Sequence, residues 1–424
     1  MLYSAVAVII SFVLVFFSLR RRLIGASFLP LFYGAVSLYT IISTLIFSFG
    51  QDVPFDFFNR TDVMYIKESV RIFSYAALVY SVGLFLGGGL FARSNRYVSS
   101  FKVPQLDVLS RHVGSTGMFL FSLLSPVILI MSFGLGAIFY RNEYAPADVI
   151  AVGMVIARIS LPICSFSIAL IANPFLRSAS FIINYAVLLG ITSRAILFVI
   201  FFHGLAIFLK RGKIGYGYIL IAFVFAIFSS AVVLQFRMYP ELGLVPMLSY
   251  IWDGEFDVSF LLSGINYVLT YSSSYLGFML QEVHYDSRLF WIAVNPLPSS
   301  MIDIAAVIEF SRVRANIPYS AIGEGYLMSG MGFYIFFLIL GFYFAFVEQL
   351  SKPLPLIFRL AIVLFMVMVA FMSAQYNLRG SSRLLYYVTI IFIIGWFVEL
   401  CLRSLKRKAR ADFHAMPDHS SSSR

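Results

Sequence analysis

The chain is patterned in long, unbroken apolar runs separated by short polar segments. The runs lie at 2–18, 26–49, 71–91, 116–139, 149–172, 179–192, 195–209, 215–236, 331–350, 355–374 and 384–402. A helix rises 1.5 Å per residue, so roughly 20 apolar residues cross a hydrocarbon core about 30 Å thick. The pattern therefore predicts an all-α integral membrane protein with about eleven transmembrane helices. A transmembrane β-barrel is excluded, because its strands alternate in polarity where these runs are continuous.

Composition agrees: 60% of the 424 residues are hydrophobic and 12% charged, about half the charge of a soluble protein, which excludes a soluble enzyme. A net charge of +11 is explained by basic inner loops and needs no nucleic acid. No basic residue precedes the first run, whereas Arg20, Arg21 and Arg22 follow it. That order predicts a retained span with its N-terminus outside rather than a cleaved signal peptide. With eleven spans the C-terminus is cytoplasmic, and six of the seven lysines then fall inside while fifteen of the twenty acidic residues fall outside. One membrane domain is expected over 1–402, followed by a basic, disordered tail at 403–424. Cys164 and Cys401 lie in apolar runs, and the five histidines show no HxxxH or HExxH spacing. Neither a disulfide framework nor a metal site is predicted, and no cofactor is expected.

Two outer segments are long. Residues 50–69 carry an Asn59-Arg60-Thr61 sequon, read as incidental, and 237–330 are expected to form an extracytoplasmic subdomain of amphipathic helices enclosing a cavity. The paired runs at 179–209 are short and meet at GITSRAIL, with Arg194 at the apex. Interrupted short spans often flank binding sites, and intramembrane charges tend to be functional; a snorkelling arginine is the plainer alternative. Arg158, inside the run at 149–172, poses the same question.

Candidate chemistry lies outside. Ten arginines (60, 71, 141, 194, 237, 288, 312, 314, 379 and 383) face Lys67 alone there, and guanidinium forks suit phosphate or carboxylate oxygens. Arg60, Arg71, Arg312 and Arg314 are assigned to a solvated network with outer carboxylates. Arg141, Arg194, Arg379 and Arg383 sit at span ends and are expected to converge on an anionic, diphosphate-like ligand. Glu324, in PYSAIGEGYLMSGMGF, is a candidate general base for a sugar hydroxyl, with a structural cap as the alternative; His284 is a second base candidate. Outer tyrosines, Tyr140, Tyr144, Tyr239, Tyr267, Tyr271 and Tyr275 among them, offer sugar-stacking faces or an interfacial belt.

Four segments carry a resemblance: FYRNEY at 139–144, GITSRAIL at 190–197, PYSAIGEGYLMSGMGFYIFF at 318–337 and the arginine-bearing turn at 379–383. With the span pattern, the chain resembles the bacterial O-antigen, or oligosaccharide repeat-unit, polymerases called Wzy-like. The resemblance implies a metal-independent glycosyltransferase of the inner membrane acting on undecaprenyl-diphosphate-linked glycans, among membrane lipids, with a chain-length regulator and a flippase as candidate partners. It carries diphosphate binding onto Arg194, and more loosely onto Arg141, Arg379 and Arg383. The related O-antigen ligases place a histidine where this chain has Glu324, which disfavours a ligase. A ligase-type enzyme and a polysaccharide flippase remain the alternatives.

Overall fold

The computed structural model describes residues 1–46, 61–90, 105–144, 146, 148–211, 216–254, 258–282, 286–297, 301, 302, 305, 307, 309 and 320–415. Of these, 85% are helical and none forms a strand. In chain order the helices are α1 (Leu2–Arg20), α2 (Ile24–Ile46), α3 (Val63–Leu90), α4 (Gln105–Ser122), α5 (Leu124–Phe133), α6 (Leu135–Phe139), α7 (Ala151–Ile168), α8 (Pro174–Gly190) and α9 (Ile196–Arg211). There follow α10 (Tyr216–Phe236), α11 (Leu244–Trp252), α12 (Val258–Glu282), a 3-10 turn at Ser287–Leu289, α13 (Phe290–Val294), α14 (Ala321–Ser329), α15 (Gly332–Leu350), α16 (Leu356–Gln375) and α17 (Leu378–Ala415).

Eight stretches among the described residues are long and apolar enough to cross a membrane: Leu2–Arg20, Ile24–Leu45, Val63–Leu90, Leu106–Phe133, Ala151–Ile168, Gly332–Leu350, Leu356–Ala374 and Leu378–Ser404. The chain is an all-α, multi-pass membrane protein. The other three apolar runs are helical too, as α8, α9 and α10, but α8 and α9 have only 17 and 16 residues. Each is about 25 Å long, short of a full hydrocarbon core.

The chain divides into two compact units, one of residues 1–35, 71–96 and 282–424, the other of 36–70 and 97–281. In the first, small residues let helices approach closely, as lipid-embedded helices require when no hydrophobic effect drives them together. A Cβ on Gly83 would fall 2.1 Å from the Leu338 carbonyl oxygen, and one on Gly341 would fall 2.2 Å from that of Tyr80. So α3 and α15 touch through backbone in both directions. Ser11 and Ser81 join α1 to α3 by a 2.7 Å hydroxyl bond, and the Tyr33 hydroxyl meets that of Ser373 on α16. Glu348, buried in the last turn of α15, accepts the N–H groups of Ile24, Gly25 and Ala26 at 2.8, 3.1 and 2.8 Å. Those are the orphan donors of the first turn of α2, and the carboxylate also complements the positive end of that helix.

In the second unit α4 is kinked at Gly114, and α5, α7, α8 and α9 pack around Leu129, Leu161, Val187, Leu188 and Val199. Polar pins cross this interior: Ser122 to Ser180, Asn184 to the Ser122 carbonyl, and Ser125 to that of Ala157. Asn173 caps α8 by accepting from Phe175 and Leu176, with Pro174 in the first helical position, where its missing N–H and fixed φ cost nothing. The 25-residue α12 is pinned to α2 by Tyr39 and Ser43 on Asn266 and by Thr40 on Ser273.

The division between the two units falls within the segment 237–330, between Gln281 and Glu282. The last helix runs on through the basic segment as far as Ala415. Residues 405–411, LKRKARA, are good helix formers, Arg403 bonds Glu399 one turn back at 2.7 Å, and cations suit a helix C-terminus. Arg60, His284, Arg312, Arg314 and the Asn59 of the sequon lie outside the described residues.

Candidate functional site

The arginines expected to converge fall into two groups, one in each unit. Arg141 and Arg194 belong to the second unit; Arg379 and Arg383, with Glu324, belong to the first.

The second unit's group is built on the turn joining α8 to α9. Thr192 donates its backbone N–H to Leu189 and Ser193 to Leu188, the paired bonds of a Schellman cap. Such a cap needs a left-handed residue, usually glycine, at the position Thr192 occupies with φ +51°. A β-branched residue there costs on the order of 1–3 kcal/mol and persists only where neighbours hold it. Two arginines do so. Arg141 Nη2 donates to Thr192 Oγ1 at 3.0 Å while its Nη1 donates to the carbonyls of Gly190 (2.5 Å) and Ala137 (3.0 Å). From the other side, Arg237 Nε and Nη2 donate to the Thr192 carbonyl at 2.9 and 2.6 Å.

The segment bearing Arg141 is itself fixed. Arg141 and Leu242 exchange backbone hydrogen bonds of 2.8 Å in both directions, tying FYRNEY to the chain entering α11. Gly243, next in line, has φ +115°, and a Cβ there would lie 2.5 Å from the Phe139 carbonyl oxygen. Only glycine suits that place.

Aromatic faces meet the three guanidiniums: Phe133 under Arg141, Tyr271 under Arg194 and Tyr144 under Arg237, each 5.1 Å from ring centroid to guanidinium carbon. Such contacts hold a cation without neutralising it. Neither Arg141 nor Arg194 pairs with a carboxylate among the described residues. Burial pushes Arg141 down to about 10, with Tyr144 opposing the shift and Arg237 adding to it. Burial also raises Tyr267 to about 12, against the pull of Arg194 and Arg237, so that phenol is neutral at pH 7. The result is two guanidiniums, Arg141 and Arg194, beside one turn and without a carboxylate partner among the described residues, an arrangement suited to an anion with several oxygens.

In the first unit the expected groups are occupied with the fold. Arg379, 6% exposed, donates to the carbonyls of Ile292 (2.9 Å), Asn295 (3.4 Å) and Leu297 (2.6 Å). Glu324 is fully buried, and its Oε2 accepts the N–H of Leu378, the first residue of α17, at 2.7 Å. That is the capping arrangement weighed against the base reading. Arg383, half-buried one turn after Arg379, acts on it electrostatically. Arg288 forms a bidentate pair with Asp286 at the surface, and Arg158 is exposed on α7.

The sequence offers Arg237 as one of ten arginines and Tyr267 and Tyr271 as two of many tyrosines, and it does not single out Thr192. Arg237 directly follows an apolar run and Tyr267 and Tyr271 lie one helical turn apart, yet only folding brings them beside Arg194 and the Thr192 turn. Compared with known proteins, the chain matches no family model, no curated protein and no solved structure.

Proposed function

We propose that this chain polymerises undecaprenyl-diphosphate-linked oligosaccharide repeat units into a surface polysaccharide at the periplasmic face of a bacterial inner membrane. In this reading it crosses the membrane eleven times, N-terminus outside and C-terminus inside, with α8 and α9 as a short pair whose connecting turn reaches the outer headgroup region. The reading is supported by one observation above the rest: Arg141 of FYRNEY and Arg194 of GITSRAIL, the two segments that carry the resemblance, gather with Arg237 around the strained Thr192 turn, held by rings and backbone carbonyls.

A lipid-linked donor places its diphosphate at headgroup depth. The acceptor sugar hydroxyl attacks the donor's anomeric carbon, the bond from that carbon to the diphosphate oxygen breaks, and the hydroxyl proton passes to a base. Charge builds on the leaving diphosphate, where preorganised guanidiniums stabilise it most effectively. Glu324 is not given the base role, since its carboxylate holds the start of α17.

The test is deletion of the gene followed by complementation with wild type and with Arg194→Ala, resolving surface glycolipids at single-repeat resolution. Deletion is expected to collapse the ladder to core plus one repeat, and Arg194→Ala to fail to restore it at normal protein level. Complete absence of attached repeats on deletion turns the assignment toward a flippase or ligase.

A further inference from the structure

Arg141 and Arg194 differ in what their side chains do. Arg141 is 6% exposed, and its guanidinium reaches three protein acceptors on two elements, the carbonyls of Ala137 and Gly190 and the hydroxyl of Thr192. Its Nε is enclosed, and its backbone is locked to Leu242 in both directions. Arg194 is half-buried and rests on Tyr271. Resting on the diphosphate reading of this turn, we infer that Arg141 is a positioning residue: it fixes the Thr192 turn so that Arg194 faces the phosphates, and it does not contact the ligand itself.

The identity of residue 192 supports this. Glycine is the residue a Schellman cap favours, because it occupies the left-handed region without strain. Threonine brings strain and one asset, its hydroxyl, which accepts from Arg141 and donates to the Ile191 carbonyl at 2.8 Å. That hydroxyl couples the 139–144 segment to the turn two residues ahead of Arg194. A bare charge cannot replace the coupling, because three acceptors in different directions need the planar fork of a guanidinium.

The experiment uses the full chain purified in lipid nanodiscs. Hydrogen–deuterium exchange is followed over 190–197 without ligand, and the affinity for inorganic pyrophosphate is measured by titration calorimetry. Arg141→Met and Arg141→Lys are both expected to speed exchange across the turn while leaving α4 and α5 unchanged. Each should weaken pyrophosphate on the order of tenfold, as loss of an orienting partner does at other preorganised sites. In a Thr192→Gly background, Arg141→Met should cost less than it does in the wild type, since the hydroxyl bond is already gone and, of the bonds to the turn, only the one to the Gly190 carbonyl remains to be lost. Thr192→Asn, which tolerates the left-handed region and offers an acceptor oxygen, should retain most of the affinity.

Three results overturn the inference: unchanged exchange in Arg141→Met, retention of affinity by Arg141→Lys, or losses that multiply in the double variant. Failure of pyrophosphate to bind wild type rejects the diphosphate reading instead, and the exchange measurement then decides by itself whether Arg141 sets the turn.

Discussion

Oε2 of Glu324 accepts the backbone N–H of Leu378 at 2.7 Å, joining the short helix α14 to the first residue of the last span. A glutamine in this place keeps a carbonyl oxygen for the same N–H, so Glu324→Gln is expected to leave polymer length and protein level near wild type. Glu324→Ala leaves a buried donor unsatisfied and should cost about 1–3 kcal/mol, read as thermal unfolding in detergent. A collapsed ladder in Glu324→Gln at normal protein level would return this carboxylate to the chemistry.

Arg379 gathers the carbonyls of Ile292, Asn295 and Leu297, which end α13 and begin the following turn. Removing its guanidinium strips several acceptors of their donor at once. Arg379→Ala should destabilise by about 3 kcal/mol or more, with Arg379→Lys intermediate because an ammonium lacks the fork. Limited proteolysis mapped to 290–297 checks this, and wild-type resistance of that segment in Arg379→Ala contradicts it.

Gly83 and Gly341 face each other's helix across a backbone contact, each leaving about 2 Å between a hypothetical Cβ and a carbonyl oxygen. Neither obstacle is a side chain that swings away. Alanine at either position must push α3 and α15 apart, at roughly 1–3 kcal/mol. If the strain is shared, Gly83→Ala and Gly341→Ala together cost less than the sum of the two, which a double-variant unfolding series measures.

The buried Arg141 guanidinium is pushed down to about 10, so it loses its proton at lower pH than an ordinary arginine. Its hydrogen bonds to Thr192 and Gly190 are therefore complete below that value and weaken as pH rises through it. Pyrophosphate affinity is expected to fall across pH 10 in wild type. In Arg141→Met the weaker affinity should lack that inflection, and an inflection of equal size in both proteins refutes the assignment.

Much of the fold was legible in the sequence, because every apolar run became a helix and the physics there is local: a backbone in lipid must satisfy its own hydrogen bonds, and helices do so within one segment. The run at 331–350 became α15 at Gly332–Leu350 and that at 355–374 became α16 at Leu356–Gln375. The last helix continues past its apolar run to Ala415, since a span already nucleated propagates readily through LKRKARA.

The site was legible in part. Arg141 and Arg194 stand out in the sequence as arginines at the ends of apolar runs, and both belong to the Thr192 turn. The same reasoning chose Arg379 and Glu324, which hold carbonyls and an amide of the fold. A span-end arginine looks alike in either case, because sequence gives its distance from the membrane and not which acceptors lie within 3 Å.

By itself, then, the sequence determined that this is a helical membrane protein and that arginines stand at the ends of several of its apolar runs, since both follow from local composition and span length. Tertiary structure alone decided which arginines share a turn, that a strained threonine stands where glycine is usual, and that Arg237 and Tyr271 complete the cluster. Those facts depend on contacts between residues 45 or more positions apart, Arg237 on Thr192 and Arg141 on Gly190, and no local pattern specifies which distant backbone oxygen a guanidinium will find.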